Sequence, residues 1–171
     1  EHGGTCASIA PFHFDLSVFD LFVSLHRSAS ILLLDQKTCQ NPLLVVQYLQ
    51  QYAVDVCYST PTMLRLLHRF GRMERADLHA LTHILFAGEL FPPSALNALR
   101  QTLPHARFFN LYGPTETNVV TSYPLPAAIE SERSLAYPIG TACDHASCFL
   151  RVDERILAIA PGLEGELLVA G

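Results

Sequence analysis

No apolar run in this 171-residue chain approaches the ~18 residues that a membrane-crossing helix requires, so no membrane partner is expected. Charge is scarce as well: 16% of residues are Asp, Glu, Lys or Arg, against 50% hydrophobic. That balance excludes a disordered chain and supplies the apolar surface for a substantial core. The 11 Lys and Arg are outnumbered by 16 Asp and Glu, for a formal net charge of −5. They are dispersed and form no basic stripe, so nucleic acid is not an expected partner. The opening Glu1-His2-Gly3-Gly4 has neither the basic start nor the apolar block of a signal peptide. Five cysteines (Cys6, Cys39, Cys57, Cys143, Cys148) are an odd number at irregular spacing. They point to reduced thiols in a cytoplasmic protein. Cys143, His145 and Cys148 lack a fourth ligand at zinc-site spacing and read as strand residues. There is no internal repeat and no low-complexity tract.

Four short apolar segments are present: Ser30–Leu34, Val54–Tyr58, His83–Ala87 and Arg107–Leu111. Their length and weak alternation predict strands buried on both faces. Three helical patterns lie between them. Asn41-Pro42 is an N-cap followed by proline at the first helical position, and it opens a helix over Leu43–Tyr52. Thr60-Pro61 opens a second, with Leu64, Leu67 and Phe70 or Met63, Leu66 and Leu67 on one face, and Pro92-Pro93 a third, with Leu96, Leu99 and Leu103. Strands alternating with helices predict an α/β fold, a parallel sheet with crossover helices. After Glu116 the pattern changes. Asn118–Tyr123 is β-prone, and Ser147–Val152 and Glu166–Ala170 read as antiparallel strands of a small β-subdomain. The expected division is 1–123 for the α/β unit and 124–171 for the β unit. Gly165–Gly171 reads as a strand that stops at the chain end, so the chain is expected to be a fragment.

Asn110-Leu111-Tyr112-Gly113-Pro114-Thr115-Glu116-Thr117 concentrates an amide, an aromatic ring, a tight turn, hydroxyls and a carboxylate at the end of an apolar segment. Such a loop can stack a base, read its edge, meet a phosphate and hold magnesium. It can also be an ordinary polar turn. Topology favours the first reading, because ligands of open α/β sheets bind beyond the carboxyl ends of the strands. Tyr58-Ser59, Ala87-Gly88-Glu89 and Asn110–Glu116 all fall at those ends.

Upstream, Phe14, Val18, Leu21 and Phe22 recur at helical spacing, so an amphipathic helix is expected from Ser17. Asp15 is placed either to cap that helix or to pair with an ammonium at the mouth of an apolar cavity. A charge-assisted bond of that kind contributes roughly 1.5–3 kcal/mol.

Phe14-Asp15-Leu16-Ser17, Asn110–Glu116 and Gly165–Gly171 resemble, in order and spacing, three core motifs of amino-acid adenylation domains. Those domains occur in nonribosomal peptide synthetases and in stand-alone aminoacyl-AMP ligases. Ala87-Gly88-Glu89 and Pro138-Ile139-Gly140 sit where that family has its glycine step and its Pro-Ile-Gly turn. The resemblance spans essentially the whole chain. It implies ATP-dependent activation of an amino acid as aminoacyl-AMP, followed by transfer to the phosphopantetheine thiol of a peptidyl carrier protein. It also implies Tyr112 on adenine, Asn110 at the adenine edge, Thr115 on the α-phosphate and Glu116 on Mg²⁺. Thr115 and Glu116 would be the catalytic pair. Gly88, Glu89, Leu111 and Gly113 would complete the nucleotide site. Asp15 would bind the α-amino group with Phe14 as a gate. Leu16, Phe19, Tyr58, Leu85, Ala87, Leu111, Val119 and Val120 would line the substrate pocket.

That lining is apolar with one phenol and no second charge, which argues against charged substrate side chains. With the Ala10–Ser17 and Leu85–Glu89 strings, it looks like the L-proline-activating ligases, small aliphatic amino acids being next. Val120 and Phe19 depart from the small polar and aliphatic residues expected there. The phosphate loop, the ribose-binding aspartate and the lobe with the catalytic lysine are not in these residues, so the chain alone is expected to be inactive. The other readings are an acyl- or aryl-CoA ligase relative and a non-catalytic remnant of the fold.

Overall fold

The computed structural model describes residues 3–170. Glu1, His2 and Gly171, the last residue of the Gly165–Gly171 motif, lie outside the described residues. The elements run β1 (Gly3–Ser8), α1 (Leu16–His26), β2 (Ala29–Leu33), α2 (Gln36–Cys39), α3 (Pro42–Gln51), β3 (Val56–Ser59), α4 (Pro61–Phe70), β4 (His83–Phe86), α5 (Pro93–Thr102), β5 (Arg107–Tyr112), β6 (Thr121–Pro124) and β7 (Thr141–Ala142). Strands β8 (Ser147–Val152), β9 (Arg155–Ala158) and β10 (Glu166–Ala170) follow. The first seven strands form one sheet in the order β2-β1-β3-β4-β5-β6-β7, parallel through β5 and antiparallel beyond it. A separate antiparallel sheet has the order β10-β8-β9. The main sheet thus continues past residue 123 through β6 and β7, and the second sheet starts at Ser147.

Each helix expected from an Xaa-Pro start is present. Asn41 and Thr60 cap α3 and α4 by accepting from Leu44 N and Met63 N. Strand periodicity then sorts the core into two faces. Ala7, Cys57, Ile84, Phe86 and Phe108 point to the side where Val45, Leu49, Leu64, Leu67, Leu96 and Leu99 of α3, α4 and α5 pack. Tyr58, Ala87 and Leu111 point to the other side, against Leu16 and Phe19 of α1.

Strands β1 and β9 are unanticipated, and one expectation needs correction. Strand β1 is not anticipated by the apolar runs. Gly3-Gly4 and Ala7-Ser8 carry little strand preference, and pairing with β2 and β3 on either side makes the strand. The tail contains β9 besides the two strands anticipated there.

The corrected expectation concerns α1. Its apolar stripe does not face the core: Phe14, Val18 and Phe22 are exposed, and Leu16, Ser17, Asp20 and Ser24 are buried. Periodicity reports that a helix is two-sided, not which side meets the sheet. Beneath α1, the Cys6 thiol lies 3.9 Å from Asp20 Oδ1. Asp20 Oδ2 and the Ser8 and Ser24 hydroxyls have no protein partner.

Burial pushes the Asp20 carboxyl from its ordinary 3.8 up to about 7. The folded protein therefore holds a proton there that the unfolded chain has released, and stability falls as pH rises across that window. Asp20→Asn keeps the shape and cannot ionise. Thermal melts from pH 5 to 8 should show the wild-type midpoint falling while that of the variant stays flat. Parallel curves would remove Asp20 as the cause.

Candidate active site

The strand order 2-1-3-4-5 reverses between β1 and β3, so the loops that leave these strands open a crevice at the carboxyl rim. Two adjoining cavities occupy the rim. One, of about 480 Å³, is lined by His13, Phe14, Asp15, Leu16, Tyr58, Thr60, Ala87, Pro114, Thr115, Asn118 and Val119. The other, of about 360 Å³, is lined by Phe86, Phe91, Asn110, Leu111, Tyr112, Ala136, Tyr137 and Ile139 among others. Gly88, Glu89 and Gly113 border both. Gly88 has φ +86°, and a Cβ added there would meet no protein atom within 4 Å. It is a left-handed rim residue that leaves its backbone open to a ligand.

The two motifs, far apart in sequence, meet here. The Thr115 hydroxyl donates to Asp15 Oδ2 at 2.7 Å. Asp15 occupies the N-cap position of α1 but makes no side-chain cap bond, so its carboxylate is turned to the cavity instead. The Ser17 hydroxyl donates to the Phe14 carbonyl at 2.7 Å, tying the first turn of α1 to the segment before it. Phe14 is 53% exposed at the mouth, its ring 5.5 Å from that of His13.

Tyr58 forms the buried end of the first cavity, 2% exposed and in edge contact with Phe19 at 5.1 Å between ring centroids. Burial, then the nearby Asp15 and Asp20 carboxylates, hold its phenol above the ordinary range, so it stays neutral. Leu85 and Phe19 pack behind this wall with Leu16, Ala87, Leu111 and Val119. Val120 is 1% exposed and lines neither cavity.

At the second cavity, Tyr112 ends β5 and is 40% exposed. Asn110 Nδ2 donates to the Pro138 carbonyl at 2.8 Å, tying β5 to the Pro-Ile-Gly turn. Glu89 accepts from the Thr62 amide at 3.1 Å and from the Thr62 hydroxyl, so it caps the N-terminus of α4 as well as bordering both cavities. Glu116 is exposed and lines neither cavity. Among the described residues no cluster of three or more acidic, His or Cys side chains could cage a metal.

Thr60, Asn118 and Tyr137 line the cavities without being singled out for the site in the sequence, and Ile139 enters there only within the Pro-Ile-Gly turn. The Pro138-Ile139-Gly140 string was the available signal for the last two. Asn118 had none, because its role depends on a contact with residue 15. The turn from 124 to 137 is anchored from behind by Arg100, which is 5% exposed and donates to the Pro126, Ala127 and Ala128 carbonyls.

The chain is 37% identical over 171 residues to an L-proline--[L-prolyl-carrier protein] ligase of Pseudomonas fluorescens, covering 100% of this chain and 34% of that protein. It is 32% identical to a D-alanine--D-alanyl carrier protein ligase of Bacillus velezensis, covering 99% of this chain and 33% of that one. It spans about a third of the length of these curated relatives. The crystal structure of CmiS6 superposes with a TM-score of 0.86 at 26% identity, covering 98% of this chain and 40% of CmiS6. A model of the AMP-binding enzyme family matches residues 1–171. A crevice at the switch point and this match along the whole chain agree: the chain belongs to the AMP-binding enzyme family.

Proposed function

We propose that the protein containing this chain activates an amino acid with ATP and passes the acyl group to a carrier protein. The observation that carries this reading is the 2.7 Å bond between Asp15 and Thr115, an amine-binding carboxylate beside a phosphate-binding hydroxyl. The substrate's ammonium takes the Asp15 carboxylate, and Thr115 turns to an α-phosphate oxygen. The substrate carboxylate attacks the α-phosphorus, the bond to the pyrophosphate oxygen breaks, and pyrophosphate leaves with the electron pair. The phosphopantetheine thiolate of the carrier then attacks the acyl carbon, and AMP leaves. The work of the residues is positioning and charge stabilisation. Tyr112 stacks on adenine. Asn110, its amide nitrogen committed to Pro138, keeps its oxygen for the adenine amino group.

One exposed carboxylate without a cage fits a magnesium ion held by Glu116, phosphates and water. Bound there, the ion would neutralise the phosphate charge. L-proline is the proposed substrate. Its support is the apolar wall of Leu16, Tyr58, Ala87 and Val119 beside the Asp15 carboxylate, together with the 37% identity to the prolyl ligase. A small aliphatic amino acid is the second choice. The protein is proposed to be a cytoplasmic enzyme of secondary metabolism.

The test is ATP–pyrophosphate exchange by the full-length protein against each of the common amino acids. Exchange should depend on added amino acid and be greatest with L-proline. Equal exchange with plain aryl or fatty acids would favour an acyl-CoA ligase relative, and no nucleotide binding would favour a remnant.

A further inference from the structure

We infer that Asn118 is a positioning residue that holds the amino-acid anchor and the phosphate loop in register; the inference rests on the functional reading above. Asn118 has a left-handed backbone, φ +56°, which asparagine tolerates better than most residues. Its Oδ1 accepts from the Val119 amide at 2.8 Å, which fixes the side-chain orientation. Its Nδ2 then reaches across to donate to the Asp15 carbonyl at 3.2 Å. That carbonyl also accepts from Val18 N at 3.1 Å, so the bond grips the first turn of α1.

The loop therefore holds residue 15 twice, through Thr115 on the carboxylate and through Asn118 on the backbone. The two bonds differ in what can replace them. An arriving ammonium competes for the carboxylate and a phosphate competes for the Thr115 hydroxyl, so that bond is exchanged on binding. The Asp15 carbonyl already accepts from Val18 N and Asn118 Nδ2, which fills both of its lone pairs, so the Asn118 bond persists. It keeps the acyl carboxylate and the α-phosphate at a fixed separation once the Thr115 bond is given up. Reaction between two bound partners depends steeply on that separation.

Two variants of the full-length protein test this. Asn118→Gly retains the left-handed backbone and removes the side chain. Asn118→Asp retains the acceptor for Val119 N and removes the bridging donor. In both, kcat of amino-acid-dependent pyrophosphate exchange should fall at least tenfold. In Asn118→Gly, which adds no charge to the cavity, calorimetric affinities for L-proline alone and for Mg-ATP alone should stay within about threefold of wild type, because each half-site survives. Melting temperatures should remain close to wild type. An unchanged kcat in both variants would overturn the proposal. So would a loss of both separate affinities together with a lower melting temperature, which is the pattern of a merely structural residue. A wild-type protein without exchange would instead overturn the functional reading itself.

Discussion

Asp15→Ala in the full-length protein should lower L-proline-dependent pyrophosphate exchange by about a hundredfold or more. The carboxylate lines the cavity beside Tyr58 and Ala87, while the other acidic side chain there, Glu89, is held by the Thr62 amide and hydroxyl. A charge-assisted hydrogen bond of about 1.5–3 kcal/mol corresponds to roughly ten- to 150-fold. The ammonium left without a partner in a low-dielectric pocket enlarges the loss. Nucleotide affinity should not fall with it. Thr115 donates to Asp15, so the alanine variant leaves that hydroxyl free for phosphate. Asp15→Asn separates two causes of any gain, because it removes the charge but keeps an oxygen that accepts from Thr115. A larger rise in Mg-ATP affinity for alanine than for asparagine would assign the gain to release of Thr115. Equal rises would assign it to charge removal. Undiminished proline use by the alanine variant would remove Asp15 from the site.

Gly113→Ala should be the most damaging change in the nucleotide loop. A Cβ at Gly113 would lie 1.7 Å from the Asn118 carbonyl oxygen and 2.9 Å from the Val119 Cα. Both contacts are backbone, so no side chain can rotate away, and the loop must open. Opening it breaks the register in which Val120 N donates to the Tyr112 carbonyl at 2.8 Å. Tyr112, Thr115 and Asn118 then move together. Exchange should fall by about a hundredfold or more, since misplacement of about 1 Å costs roughly that much. The loop is exposed and contributes little to the core, so the circular dichroism spectrum should stay native. Activity within a few-fold of wild type would show that the closely packed loop is not required.

How much of this was legible in the sequence follows from the range of each interaction. Helices α3, α4 and α5 announce themselves through Xaa-Pro starts and local spacing, and β3, β4 and β5 through apolar runs. The pocket wall follows from the strand period, which puts Tyr58, Ala87 and Leu111 on one face once the strands are parallel. Strand β1 was hidden because its stability comes from its neighbours and not from its residues. The buried side of α1 was hidden because the sheet beneath it presents Cys6 and Ser8, which favours a small polar helix face over the apolar stripe. Asn118 and the capping of α4 by Glu89 depend on chain segments that topology alone brings together.

The central claim is one bipartite site, in which Asp15 selects an amine-bearing acid and the Asn110–Thr117 loop handles the nucleotide. Cyclopentanecarboxylate has the ring and carboxylate of proline without its nitrogen. Pyrophosphate exchange by the full-length wild-type protein should saturate with L-proline and be at least about a hundredfold weaker in kcat/KM with the carbocyclic acid. Equal kcat/KM for the two acids would contradict the account.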